Sequence, residues 1–433
     1  MGCHSIGPMP IPPISRRRVL RSAAALATSA AAAPFIRTRP LRDRLKLAAI
    51  GVANRGAANV DGVLSQDVAV MCDVDSAMLA RGLAQVEAAG QLRPKTYVDW
   101  RELLEQEKDL AGVVISTPDH LHAPIARAAL RRNIAVYCEK PLTRTVEEAQ
   151  QLQELAKSSG VATQMGTQIH ATDNYRRVVE AIRSGAIGDV HTVHVVCRKS
   201  WSNGKFSAPK PAPKNLAWDL WLGPTPERPY CDGVHPGNWR RFWAFGTGTV
   251  GDMACHWVDL VHWALDLKTP VAIEVEGPSV DPVGTPAWMH VKWSHAAAGD
   301  RKAVDVHWWD GGSAPEEAPQ GDSHVFIGSK GRLISNYNSM RVELTDPSEP
   351  WQAPAPTIAS SPGHHVEWLN AIEKGTPEAP LCRFDYAGPL TQTVLLATVA
   401  YRAGGQARWD AGKGAFDADA GLLGSEDRPG WDI

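Results

Sequence analysis

The feature that most constrains this chain is a glycine turn at the end of a short apolar run. Residues 45–50, Leu-Lys-Leu-Ala-Ala-Ile, read as a strand that empties into Gly51-Val52-Ala53-Asn54-Arg55-Gly56. A G-x-A-x-x-G turn between strand and helix is a version of the dinucleotide fingerprint. Gly51 makes the tight turn, Gly56 lets the helix pack closely, and backbone N–H groups at the helix start face a pyrophosphate. Ala53 stands where the fingerprint has its second glycine. Val68–Cys72 is a second strand, and Asp73 ends it 22 residues beyond Gly51. A carboxylate there bonds both ribose hydroxyls and repels a 2′-phosphate, which favours NAD over NADP. Its competing role is to cap the helix that follows.

Strand, turn and helix keep alternating. Leu110–Ser116 runs into Thr117-Pro118-Asp119-His120-Leu121-His122 and an Ala-rich helix, and Ile134–Cys138 runs into Glu139-Lys140-Pro141. This order calls for a doubly wound parallel sheet, whose carboxyl-end loops line the ligand cleft. Thr117, Pro118, His122, Glu139 and Lys140 are therefore expected to converge there with Gly51, Ala53, Asn54, Arg55, Gly56 and Asp73. After residue 165 the alternation stops. Val190–Cys197, Val271–Val275, Ala287–Trp293, Val304–Trp309 and His324–Gly328 read as strands with few helices between them. An α+β domain with a large mixed or antiparallel sheet is expected over 166–433, following the nucleotide-binding α/β domain over 45–165.

Length and composition agree with two or three domains: 433 residues, 44% hydrophobic and 21% charged. A balance of 45 Lys+Arg against 47 Asp+Glu excludes the basic surplus that a nucleic-acid binder needs. Seven scattered cysteines form no CxxC pair and read as core thiols. Residues 15–20, Ser-Arg-Arg-Arg-Val-Leu, precede an Ala-dominated run ending at Ala33-Pro34. This is the twin-arginine export pattern, and the run is too short and Ala-rich to span a bilayer. Residues 1–44 are expected to be a signal peptide and linker of a periplasmic protein, or a basic tail of a cytoplasmic one.

The chemistry concentrates at Gly246-Thr-Gly-Thr-Val-Gly-Asp252-Met-Ala-Cys-His256-Trp-Val-Asp259-Leu-Val-His262. A glycine loop feeds a helix, and spacings of four and three put Asp252, His256 and Asp259 on one face. Met253, Val258, Val261 and Leu265 remain for the core. Hydride removal from an alcohol carbon requires loss of the O–H proton, for which a histidine with pKa near ambient pH is the natural base. A cation stabilises the alkoxide and a carboxylate orients the histidine. A mixed Asp/His set can also ligate a metal, but the helix has no zinc-type His-x₃-His pair, and no metal is expected. Gln168, His170, His235, Trp239 and Arg240 are candidates for the substrate pocket.

The glycine turn, Ser116-Thr117-Pro118 with His122, Glu139-Lys140-Pro141 and the Asp252–His256 pair together resemble the Gfo/Idh/MocA oxidoreductases. The resemblance runs from about residue 45 to the end. It implies a Rossmann domain, a cis bond before Pro141, and hydride exchange between a sugar or polyol carbon and NAD, which export to a compartment poor in free NAD would require to be tightly held. Lys140 would hold the substrate hydroxyl, His256 would be the acid/base, and Asp252 would contact substrate or orient His256. Some relatives are redox-neutral NAD-dependent glycoside hydrolases, which is the alternative activity. A non-catalytic sugar or nucleotide sensor on the same fold is a third. Fifteen of the 16 tryptophans follow residue 200. Trp201, Trp218, Trp221, Trp239, Trp243, Trp257 and Trp263 are expected to wall the pocket. Trp288, Trp293, Trp308 and Trp309 are expected on a buried sheet or a homo-oligomer face.

Overall fold

The structure, a computed structural model, describes residues 44–431 apart from 347, 349, 411–414, 418 and 419. The arginine run and the export expectation lie outside the described residues.

Six parallel strands come first: β1 (Lys46–Ile50), β2 (Asp67–Cys72), β3 (Lys95–Tyr97), β4 (Gly112–Ile115), β5 (Ala135–Cys138) and β6 (Thr163–Met165). Helices α1 (Arg55–Val63), α2 (Ser76–Ala88), α3 (Trp100–Gln106), α4 (Asp119–Leu130) and α5 (Val146–Ser159) connect them in turn. The spatial order is β3-β2-β1-β4-β5-β6, so the winding reverses between β1 and β4. Crevices at the carboxyl ends of strands beside such a reversal are where doubly wound folds bind ligands. β1, β4 and β5 are buried on both faces, which is why they read as unbroken apolar runs.

Helix α6 (Asp173–Arg183) leads to β7 (Val190–Val196), and the short helix α7 (Trp218–Leu222) and long helix α8 (Gly248–Leu265) precede β8 (Ala272–Glu276). Then come β9 (His290–His295), β10 (Val304–Trp309), β11 (Ser323–Gly328), β12 (Gly331–Ser335) and β13 (Met340–Leu344). After α9 (His364–Lys374) and α10 (Phe384–Arg402), β14 (Gln406–Asp410) and β15 (Ala415–Phe416) complete a second sheet, ordered β13-β12-β11-β7-β10-β9-β8-β14-β15. It is mixed: β7 and β10 run parallel and the other pairings are antiparallel. Period-two burial explains the strands. In β10, Val304, Val306 and Trp308 face the core, while Asp305, His307 and Trp309 face the other way.

Two expected strands shift toward the C-terminus. Prolines 278, 282 and 286 delay β9 to His290, and β8 begins at Ala272. The last third of the chain also crosses back. Trp368 of α9 packs among Leu47 and Tyr137 of the first sheet and Val60 of α1, where a Cβ on Gly112 would lie 2.8 Å from the indole. Helix α10 packs against both α5 and α8, and a shared apolar cluster runs through both halves.

Candidate active site

One cleft, with a cavity of about 460 Å³, runs from the loops after β1 and β2 to the start of α8. That volume lies in the range of small-molecule sites. At one end the geometry belongs to the backbone. Gly51 has φ +78°, and a Cβ there would lie 2.8 Å from the Ser116 backbone. A Cβ on Gly56 would fall 2.1 Å from the Gly51 carbonyl oxygen, so only glycine lets α1 start against the turn. The first turn of α1 holds no acidic side chain, which leaves its N–H groups and dipole suited to a phosphate. Asp73 lines the cleft and accepts from the N–H groups of Val52 (3.0 Å) and Asp75 (2.9 Å). The capping role falls to Asp75, which accepts from Ala77 and Met78 at the start of α2. Asp73 is thereby left facing the cleft, and the turn, helix start and carboxylate together fit a dinucleotide.

At the other end the geometry belongs to charge. Lys140 follows β5, its bond to Pro141 is cis, and its Nζ donates to Asp252 Oδ1 and to the Asp252 carbonyl, both at 2.7 Å. Arg240 Nε reaches the same Oδ1 at 2.9 Å, and Trp201 Nε1 donates to Oδ2 at 2.8 Å. Burial would raise the Asp252 carboxyl, but Lys140 and Arg240 outweigh it and hold it well below the carboxylate range. Two of the three Lys140 ammonium protons are thus committed, and one is free for a ligand. His256 lies one turn beyond Asp252 and lines the cleft, with Nδ1 buried and unpartnered. Burial, then the Lys140 charge, lowers its pKa to about 3. The expectation of a histidine near neutral pKa is corrected: the resting imidazole is a neutral proton acceptor.

Gly51, Ala53, Asn54, Arg55, Thr117 and Pro118 line the cleft as expected, as do Glu139, Gln168, His235, Trp239 and Arg240. Gly56 lies behind the turn. Glu139 is buried and accepts from Arg55 (2.9 Å), Asn59 (3.0 Å) and Gln168 (2.8 Å), so it organises the cleft floor. Burial would raise its carboxyl, but Arg55 and Lys140 keep it below its ordinary value. Two expectations are corrected. His122 is sealed behind the loop, its ring nitrogens 2.8 Å and 2.7 Å from the Thr117 and Pro141 carbonyl oxygens. His170 is buried against Asp259 (2.9 Å) and stacked on Trp263, away from the cleft. The helical stripe therefore splits: Asp252 and His256 face the cleft, whereas Asp259 and His262 are buried in the core. Among the described residues, His170, Asp259 and Cys382 are the group whose ligand atoms lie close enough for a cation, and all three are buried.

Sequence reasoning missed Asp119. It lines the cleft at the start of α4 and accepts from Thr247 Oγ1 at 3.3 Å; burial pushes its carboxyl up to about 8, with Arg240 opposing. Its signal was an acidic residue in a helix first turn, which reads as an ordinary dipole partner. The tryptophan expectation holds for Trp201, Trp221 and Trp239, while Trp257 stacks on Tyr337 in the core. Trp100, the one indole of the first half, lines the cleft too.

Comparison with known proteins places this architecture. Residues 45–167 match the NAD-binding Rossmann-fold model of the GFO_IDH_MocA oxidoreductase family, and 176–360 match its C-terminal alpha/beta domain. A glycosyl hydrolase family 109 protein of Stenotrophomonas maltophilia is 28% identical over 207 residues, 46% of this chain and 45% of that protein. Levoglucosan dehydrogenase of Pseudarthrobacter phenanthrenivorans is 27% identical over 166 residues, 38% and 35% of the two chains. The chain thus matches less than half the length of these curated relatives. An inositol dehydrogenase homolog from Azotobacter vinelandii, solved with NADH and myo-inositol, shares the fold at TM-score 0.60 and 18% identity, covering 84% of this chain and 96% of its own. Fold, cleft and both family models agree that this chain belongs to the Gfo/Idh/MocA oxidoreductases, with an NAD-binding Rossmann fold.

Proposed function

We propose that the protein oxidises or reduces a hydroxyl-bearing carbon of a sugar or polyol with NAD held in this cleft. The observation that carries the reading is the Lys140–Asp252–Arg240 cluster beside a neutral His256, at the far end of a cleft that begins at a dinucleotide turn. Bound NAD supplies the hydride acceptor. The chain's own residues handle the rest. The free Lys140 donor holds the substrate oxygen and stabilises it as its proton leaves. His256 takes that proton while the C–H hydride and its electron pair depart, and the carbon becomes a carbonyl. Asp252 aims Lys140 by accepting from its Nζ through both a carboxylate oxygen and its carbonyl. The half-buried indole of Trp201 offers a flat face to the C–H side of a sugar ring, while the Trp239 ring lies under the Arg240 guanidinium at 4.1 Å.

Hydrolysis without net redox change is a second reading, supported by Asp119 and by the glycosyl hydrolase family 109 relative. Transient oxidation at a sugar's C3 acidifies the adjacent C–H, and elimination of the glycosidic group then needs a proton. A carboxyl still protonated at neutral pH can give one. Export by the twin-arginine route to the periplasm, a division near residue 165 and assembly through the second sheet belong to the same proposal. Support for assembly is the outward ring cluster of His194, His290, His307 and Trp309, with His290 stacked 3.6 Å from Trp309. The test is to assay sugars, polyols and aryl glycosides, with and without added NAD, using wild type, His256→Ala and Lys140→Ala. Unchanged turnover of the best substrate in both variants would sink the mechanism.

A further inference from the structure

The segment from Trp201 to Phe245 does not pack as an ordinary surface loop. It has an apolar core of its own, built around Leu216, Trp221, Tyr230, Trp239, Phe242 and Phe245. Bonds to Thr249, Asp252, Asp281, Val283 and Thr285 hold it to its own half, and two further ties reach the nucleotide-binding half.

The first tie is to the loop after β2. Ser76 N–H donates to the Asn215 carbonyl (2.8 Å), Ala217 N–H donates to the Val74 carbonyl (2.9 Å), and Asp75 and Leu216 form an antiparallel bridge. Asp75 adds side-chain bonds: Asn215 Nδ2 donates to its Oδ1 at 2.8 Å, and His235 Nε2 lies 3.1 Å from its Oδ2. Val74, next to the cleft-lining Asp73, packs against the segment's core. The second tie is to α4, just past β4. His120 is fully buried, with Nε2 2.8 Å from the Trp221 carbonyl oxygen and Nδ1 3.3 Å from that of Phe245.

In the sheet order β2-β1-β4, these anchors flank the glycine turn that follows β1. A segment fastened on both sides of that turn bridges the crevice where a dinucleotide would lie. Trp221, His235 and Pro236 accordingly line the same cleft as Gly51, Asp73 and Val74. We propose that residues 201–245 are a strap that locks the dinucleotide into the protein, with the Asn215–Asp75–His235 latch beside the ribose carboxylate as its release point. The cofactor then stays through many turnovers instead of exchanging as a co-substrate. This rests on the NAD reading above and deepens it.

The latch lies beyond the Lys140–Asp252–His256 cluster, so it can be tested without any substrate. Full-length wild type, Asn215→Ala, His235→Ala and the double variant are gel-filtered, and the NAD released on denaturation is counted per protein. Release of NAD is then timed by chase with an excess of a fluorescent NAD analogue, and uptake is timed with the NAD-free forms. Each of these part-buried bonds to the Asp75 carboxylate affects an equilibrium by roughly an order of magnitude. Release is therefore expected to quicken about tenfold in each single variant and on the order of a hundredfold in the double. Uptake should quicken as well, because a strap that opens more often speeds passage in both directions. Thermal unfolding of the NAD-free forms separates exchange from general loosening. Wild type and variants releasing NAD at the same rate would overturn the strap while leaving the oxidoreductase reading intact. Faster release with unchanged uptake would also overturn it, by making these residues ordinary contacts. Wild type that neither carries nor takes up NAD would overturn both.

Discussion

The two ends of the cleft are built by different physics. Around Gly51 and Gly56 the site is backbone: positive φ, absent Cβ atoms and N–H groups at a helix start, with Asp73 added at the edge. Around Lys140 and His256 it is side-chain charge, two cations against Asp252 with a neutral imidazole beside them. A backbone site tolerates no added atom, since the nearest neighbours are themselves main chain. A charge site tolerates changes of shape and fails when its balance is altered. The contrast implies separable defects: binding at one end, chemistry and stability at the other.

The largest effect is expected at the backbone end. Gly56→Ala places a methyl 2.1 Å from the Gly51 oxygen, so the turn must open. NAD should no longer raise the melting temperature, as read by calorimetry with and without the nucleotide; a full NAD shift in this variant would break the comparison. Next comes His256→Ala. Removing a positioned acid/base costs roughly 10²–10⁴-fold in turnover, while NAD affinity by fluorescence titration should match wild type. Loss of binding in step with turnover would show that the two ends are one unit. Third is Asp252→Asn, which leaves the half-buried Lys140 and Arg240 without the buried carboxylate that they share. Breaking a buried pair in this way costs about 3–5 kcal/mol, measurable by urea unfolding. A Lys140→Met, Asp252→Asn double variant should recover part of it, since it removes one orphaned cation.

The same contrast explains what the sequence made legible. The turn, Asp73 and the alternation of strands and helices are local, so spacing alone placed them. Lys140 and Asp252 are 112 positions apart, and no periodicity joins them; motif resemblance did. Spacing misled where burial decides. Asp259 shares the helical stripe of Asp252 and His256, yet it sits one turn deeper against His170 and Tyr386. His122 follows Thr117 by five positions but sits in α4, which is buried along almost its whole length, and so lies behind the loop. The return of α9 and α10 to the first sheet and the tie between residues 215–217 and 74–76 are tertiary pairings that no local pattern carries.

The smallest expected effect probes the balance of the charge end itself. Asp119 is enclosed near Asp252, and its carboxyl stays protonated to about pH 8 because burial disfavours its ionised form. A folded-state value raised above the ordinary 3.8 means that the folded protein holds a proton the unfolded chain releases. The neutral group's contribution to stability is therefore fully present below about pH 3.8 and is lost progressively as pH rises to about 8. Asp119→Asn keeps an acceptor for Thr247 and removes the ionisation. The variant should equal wild type near pH 4 and become more stable by up to a few kcal/mol at pH 8, where each unit of displacement is worth about 1.4 kcal/mol. Urea midpoints at pH 4, 6 and 8 give the measurement. A stability difference that does not grow with pH would mean that Asp119 ionises with Arg240 as its counter-ion. The charge end would then hold two cations against two anions, and the proton source invoked for hydrolysis would be gone.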